Sequence, residues 1–404
     1  MHNISSIGLY SVAAITMVGL WGCDTLMTEK PTAGDDFESP FDGLSPDLNA
    51  VFLLGDENFE HAFTPEEGLG PIFNNNACVG CHPGDGRGTP ELGFFRFSRD
   101  GDLLPKEGGH QHQDKALAAV PVETIPAGVE RSFRLPPPVF GVGLLESIPV
   151  DTVLAYADEN DTDGDGISGR PNWVTPPFWV PESEPGGGAG PQLGRFSRKA
   201  QISTLVQQVA EAYHQDMGIT SDFLPEENPH PQAGSVAMGD LAADPEIPAG
   251  IVFQTVMYIR LLQPPDRGDI TDEVRRGEQH FVNIGCASCH VPLMHTGPQA
   301  IPALDRQPVA LYSDLLLHDM GPGLADNRPD GQASGTEWKT PPLWGTRIVG
   351  DFLNGEQFYL HDGRANNLHD AIIVHGGEAQ SSRDGYYGLS ESDQQAVVAF
   401  LESL

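Results

Sequence analysis

The sequence predicts a mainly α, loop-rich protein in which one helical module is written twice in tandem. Three observations carry this expectation. The pentad Cys-x-x-Cys-His occurs twice, as Cys78-Val79-Gly80-Cys81-His82 and Cys286-Ala287-Ser288-Cys289-His290. The strings flanking the two pentads recur in the same order. Each copy then closes on an amphipathic run, over residues 251–262 and 394–404, whose apolar positions repeat as on one face of a helix. The chain has 404 residues, 39% hydrophobic and 20% charged, enough to build sizeable cores. Its 47 glycines and 35 prolines imply long, well-turned loops around them.

In chain order, the first element is an apolar run over residues 4–20 that ends in Leu20-Trp21-Gly22-Cys23. It resembles a bacterial lipoprotein signal spanning residues 1–23, in which Cys23 becomes the acylated first residue of the mature chain. A plain signal peptide or an uncleaved anchor is the other reading of the same run. Both place the protein in the bacterial periplasm or cell envelope. No later run reaches the roughly 18 apolar residues of a membrane span, so membrane contact is expected only through a lipid anchor. Residues 24–45 mix Pro, Gly, Asp and Ser without periodicity and read as a tether.

Residues 46–264 form the first module and residues 265–404 the second. Phe73-x-Asn75-x-Ala77 precedes the first pentad, and Phe281-x-Asn283-x-Gly285 precedes the second at the same offsets. Pro137-Pro138-Val139-Phe140-Gly141 is echoed by Pro341-Pro342-Leu343-Trp344-Gly345, and Gly194-Arg195 by Gly363-Arg364. Each module thus reads as a helix before the pentad and a closing helix packed against it. The first is longer and carries an insertion at about residues 151–194. There Asp161-x-Asp163-Gly164-Asp165-Gly166 matches the front of an EF-hand-type loop, with alternating carboxylates followed by the turn glycine. Ile167 would add its backbone carbonyl, whereas Asn172 stands where such a loop has its bidentate Glu. Calcium is the expected cation, because carboxylates this close repel unless a cation sits among them. A solvated acidic turn is the alternative.

The pentads carry the chemistry. Two thiols three positions apart can form thioethers to the vinyl groups of one haem, and the adjacent His can ligate its iron. A zinc site is the competing reading of two Cys pairs, but it gives no reason for a His directly after the second Cys in both copies. Two covalent c-type haems are therefore expected, held by Cys78, Cys81 and His82 and by Cys286, Cys289 and His290. The modules become two cytochrome c-like haem domains in tandem, with the calcium loop inserted in the first. Cys23 is the only other cysteine, so no disulfide is expected. The formal charge of −35, from 57 Asp+Glu against 22 Lys+Arg, argues against nucleic-acid binding.

Taken together, these residues resemble the di-haem oxidoreductase family, related to bacterial di-haem cytochrome c peroxidases. The likeness extends to Phe140-Gly141-x-Gly143-Leu144-Leu145-Glu146, to the loop from Asp163 to Arg170, and to His214-x-Asp216-Met217-Gly218. In the second module it includes the run from Asp314 to Gly321, Leu360-His361-Asp362-Gly363-Arg364 and His375-Gly376-Gly377-Glu378-Ala379. The resemblance implies a division of labour. One haem receives electrons from a small redox protein, and the N-terminal haem meets hydrogen peroxide or a related small oxidant. The acidic surface would steer a basic donor toward the protein.

The resemblance also bears on the distal sides. His375 falls where related peroxidases supply a Met, so the C-terminal haem is expected to have two histidine ligands, with Met320, His318 and His361 as rivals. For the N-terminal haem, His214 is expected on the distal side, either as a displaceable ligand or as the base that moves a peroxide proton. Glu146, walled in by Leu144, Leu145 and Ile148, is the second acid–base candidate, and a capping carboxylate is its alternative reading. His110 and His112 are further distal candidates. Two other functions stay open: electron transfer without substrate chemistry, and action on thiols or in iron uptake, any thiol then belonging to the substrate.

Overall fold

The computed structural model describes residues 36–404. The apolar run, Cys23 and the start of the tether lie outside the described residues. Ten α-helices are present among them: α1 (Pro46–Glu60), α2 (Val142–Ser147), α3 (Val150–Leu154), α4 (Leu205–Met217), α5 (Ala249–Leu261), α6 (Asp272–Asn283), α7 (Val349–Phe352), α8 (Leu368–Ile373), α9 (Gln380–Tyr387) and α10 (Glu391–Leu401). Loops, 3₁₀ turns and five small two-stranded antiparallel sheets connect them. No described helix is long and apolar enough to cross a membrane.

Four of the longer helices start where the sequence supplies a side-chain cap, whereas α5 follows Pro248 without one. Ser45 Oγ accepts the Leu48 N–H, and Pro46 takes the first helical position of α1. Thr204, Thr271 and Ser390 open α4, α6 and α10 in the same way, each accepting the amide three residues on. The cap satisfies one of the backbone donors that a helix N-terminus leaves without an intrahelical partner.

Each pentad is flanked by one helix pair: α1 packs on α5, and α6 on α10. Both crossings are close enough to demand glycine. A Cβ on Gly55 would lie 2.3 Å from the Gln254 carbonyl of α5, and one on Gly277 would lie 1.8 Å from the Ala396 carbonyl of α10. Four residues after each glycine comes a buried phenylalanine. Phe59 sits 5.4 Å from the Tyr258 ring, and Phe281 sits 5.1 Å from the Phe400 ring. Gly-x-x-x-Phe against a closing-helix aromatic is thus a further element shared by the two halves.

The halves also share a core. Leu144, Leu145, Ile148 and Val153 from the first pack with Val291, Leu311, Leu315 and Leu316 from the second. The described residues form one compact unit, and the boundary expected at 264/265 falls in the link between α5 and α6. The insertion helps to join the halves: Arg170 N–H donates to Leu317 O at 2.9 Å, and its guanidinium donates to Glu337 at 2.9 and 2.6 Å. Beneath them, Lys199, fully buried, donates to Asp326 at 2.7 Å, and Arg134 pairs with Asp326 and Asp330. Such buried charges persist only because each has its partner.

Candidate haem cavity

Both pentads fold as the same tight turn. His82 N–H donates to Cys78 O at 3.0 Å, and His290 N–H donates to Cys286 O at 2.9 Å. That turn brings two thiols and one imidazole close together. Phe59 and Phe281 stand 6.2 and 6.1 Å from the His82 and His290 rings, so the helix before each pentad packs directly against its histidine. None of the four thiols is in a disulfide. Burial pushes Cys81 and Cys286 up to about 12 and also raises Cys78 and Cys289, so all are uncharged at neutral pH. Burial pushes His82 and His290 down to about 4, leaving the neutral imidazole that ligates a metal. His290 Nδ1–H donates to Tyr312 O at 2.9 Å, which fixes the ring and leaves Nε2 free. Paired thiols, neutral imidazoles and an anchored Nδ1 are a donor set that fits haem.

One cavity is lined by both pentads. His375 also lines it; its Nδ1–H donates to Ala371 O at 2.7 Å, and burial lowers it below the ordinary imidazole value. Its rivals are differently engaged. His318 is gripped by Asp314 at Nε2 and Glu378 at Nδ1, both at 2.7 Å. Burial disfavours its charge, but these hydrogen bonds override burial and hold His318 well above the ordinary imidazole range. It is an imidazolium with no free nitrogen. His361 stacks on Trp338 at 3.5 Å, and Met320 lines the cavity.

Two residues expected on the distal side of the N-terminal haem lie outside the cavity lining. His214 is not among the lining residues: its Nε2 bonds Glu226 O at 2.8 Å and its Nδ1 faces Gln215 Nε2 at 3.1 Å. Its ring therefore serves the loop after α4. Glu146 is absent from the lining as well. It is buried against Arg260, 2.7 Å from Nε, so it ties α2 to α5 as half of an ion pair. The cavity instead meets an α4 face carrying Gln208, Glu211, Ala212, Gln215 and Asp216. Beside it stand Arg96, His110 and Gln111. Burial raises Glu211, against the pull of Gln207 and Arg96, and pushes Asp216 up to about 6. His110 is exposed toward the cavity, where desolvation by the surrounding chain, then Arg96 and Arg328, disfavour its charged form and push it down to about 3. The i, i+3, i+4, i+7 spacing of Gln208, Glu211, Ala212 and Gln215 was the readable signal for this face.

The acidic loop of the insertion brings Asp158, Asp161 and Asp163 together, with one carboxylate oxygen from each within 4.8 Å of the others. Asp158 was not among the expected ligands, and Asp165 stands outside the group, its Oδ1 accepting the Ile167 N–H at 2.8 Å. Asp161 accepts the Gly166 N–H at 3.1 Å, which closes the turn. Just beyond, Ser168 Oγ donates to Glu378 at 2.6 Å, so the loop reaches the carboxylate that grips His318.

A family model described as "Di-haem oxidoreductase, putative peroxidase" matches residues 16–99 and 113–404. The chain belongs to the di-haem oxidoreductase family. This di-haem oxidoreductase is also similar in structure to hydrazine synthase from Kuenenia stuttgartiensis, at 16% identity and a TM-score of 0.40 over 98% of this chain and 100% of that one. A MauG-like protein associated with microbial copper homeostasis aligns at 15% identity and a TM-score of 0.39 over 94% of each chain. No curated protein matches. Haem is accordingly the family's cofactor. Residues 100–112, which hold His110, lie outside the family match.

Proposed function

We propose that this di-haem oxidoreductase reduces hydrogen peroxide with electrons from a small redox protein, and that it is exported to the cell envelope with Cys23 as its lipid anchor. The observation that carries the reading is the single cavity lined by both pentads, which suits two redox centres within one electron-transfer unit. Cys78 with Cys81, and Cys286 with Cys289, would hold the two haems covalently, His82 and His290 would bind the irons, and His375 would be the second ligand on the C-terminal side. When bound, the haems supply redox equivalents and a place for the oxidant to bind.

The chain supplies proton handling and charge. Splitting peroxide consumes two electrons and two protons and yields two waters, and one proton must pass from the near oxygen to the departing one. Neutral His110 can take that proton, and Glu211, raised by burial, can hold another in reserve. Arg96 acts electrostatically on both and offers a fixed positive charge to the departing oxygen. Asp158, Asp161 and Asp163 would hold calcium, which would relieve their mutual repulsion and brace the insertion.

The test is oxidation of a reduced artificial donor by holoprotein made in a haem-attaching host, followed with and without peroxide. Peroxide-dependent turnover supports the reading. Two bound haems without peroxide consumption would reject it and leave an electron relay.

A further inference from the structure

The cavity wall runs against the charge of the chain. Among the described lining residues Arg87, Arg96, Arg134, Arg198, Lys339 and Arg383 are cationic, whereas Glu211 and Asp216 are the only carboxylates. Yet the whole chain carries 57 Asp+Glu against 22 Lys+Arg. Positive charge has been gathered where burying it costs most.

Three of these cations have no carboxylate in contact. Arg87 donates to the carbonyls of Phe358 and Leu360, both at 2.7 Å. Arg198 sends Nε and Nη2 to Leu135 O at 3.2 and 2.8 Å. Lys339 Nζ donates to Arg195 O at 2.8 Å. Carbonyl dipoles orient these groups without neutralising them, and the cations repel one another: Arg198 feels Arg87 and Arg134, offset only by Asp362, and Lys339 feels Arg198. Burial pushes Arg87 down to about 10 and Lys339 to about 7. Two more donors, Arg87 Nε and Arg134 Nη1, are buried without a partner, and Arg134 is 2% exposed. Arg87 and Arg198 come from the first half and Lys339 from the second, so the cluster lies at the seam of the two pentad environments. Buried like charges with this partner set need an anion to complete them.

We propose that Arg87, Arg198 and Lys339 form a carboxylate site that takes the haem propionates and thereby helps to set the haem potentials. The assignment rests on the two-haem reading above. Each haem brings two carboxylates into the cavity these cations line, and the planar guanidinium fork suits a carboxylate. A fixed cation beside a haem disfavours the ferric form, which carries one more positive charge than the ferrous, so it raises the midpoint potential.

The experiment compares holoprotein with Arg198→Gln, Lys339→Gln and Arg198→Lys, reading haem content and the midpoint of each haem by spectroelectrochemistry. Both neutral variants should keep two haems and lower at least one midpoint, by the equivalent of roughly a tenfold change in the reduction equilibrium. Arg198→Lys should restore most of that shift. Two haems with unmoved midpoints in both neutral variants overturn the proposal. Added phosphate or sulfate distinguishes the other source of anion: spectra that respond in the wild type, but not in variants whose midpoints are unmoved, would assign the site to a free anion. If a variant does not fold, the wild type still decides, because paired propionates should leave its midpoints flat across the neutral pH range, and a midpoint that follows a propionate titration there overturns the assignment. Absence of haem from the wild type would be the failure of the two-haem reading itself.

Discussion

Glu378 Oε2 lies 2.7 Å from His318 Nδ1, and the same carboxylate accepts from Ser168 on the acidic loop. This pair joins the insertion to the cysteine pair of the second pentad, since His318 Nδ1 also stands 3.6 Å from Cys289 Sγ. Burial would raise Glu378, but His318 and Ser168 hold it down to about 2, while His318 is raised. The depressed carboxylate stabilises the fold above its unfolded value of 4.5 and loses that effect as pH falls toward 2. The raised imidazole stabilises the fold below its unfolded value of 6.5 and loses that effect as pH rises toward its folded value. Glu378→Gln should therefore cost about 3 kcal/mol, most between those two unfolded values and less on either side. Thermal melts of wild type and variant across pH check this; a gap independent of pH would count against it.

His375→Ala should convert the C-terminal haem from low to high spin, because its imidazole, kept neutral by burial, lines the same cavity as His290. Electron paramagnetic resonance of the ferric protein reads the change directly. An unaltered spectrum would remove His375 from the ligand set and leave Met320 as the cavity-lining alternative.

On the N-terminal side, His110→Ala and Glu211→Gln should each lower peroxide turnover by about 10²–10⁴-fold, the range for a lost general acid or base. His214→Ala should leave turnover within a few fold, since both its ring nitrogens are engaged outside the cavity. The pH profile adds a check. His110 is held near 3, so a rate that needs its neutral form should persist as pH falls through the ordinary imidazole value of 6.5. A loss of rate at that value in the wild type, absent from His110→Ala, would contradict the assignment.

The contrast between His110 and His214 indicates what the sequence could carry. The pentads were legible because their five residues are contiguous, and the closing helices because their apolar spacing is local. The ion pair of Glu146 was not legible, because its partner, Arg260, lies 114 residues away and leaves no mark in the local string. The cations of the cavity come from strands, loops and helix α9, scattered along the chain, so composition showed only a net charge of the opposite sign. The acidic loop stood between these cases. Its turn was readable from Asp161 to Gly166, but Asp158 joins from the preceding segment and Asp165 turns to its own backbone.

Calcium in that loop should stabilise the fold and sustain activity through Ser168 and Glu378. Chelation should lower the melting temperature of the wild type, and Asp161→Asn with Asp163→Asn should abolish that sensitivity. If the chelator changes neither melting nor turnover of the wild type, the loop holds no functional cation.

The two helix crossings give a prediction about the fold itself. At Gly277 the obstacle to a Cβ is the Ala396 carbonyl at 1.8 Å, a backbone atom that cannot rotate away, so Gly277→Ala must push α6 from α10. At Gly55 the nearest atoms are the Gln254 carbonyl oxygen at 2.3 Å and Tyr258 Cβ at 2.6 Å, and the strain should be somewhat smaller. Overpacking of this kind costs about 1–3 kcal/mol or more. Because Phe281 links α6 to His290 and Phe59 links α1 to His82, each substitution should also loosen the histidine of its own pentad. Gly250, where an added methyl would meet nothing within 4 Å, is the internal control, and Gly250→Ala should leave melting unchanged or raise it. Gly277→Ala should show the largest drop in melting temperature and a perturbed C-terminal haem spectrum, Gly55→Ala a smaller drop with the N-terminal spectrum affected. Equal melting of Gly277→Ala and Gly250→Ala would mean that the close crossing does not hold the second module together.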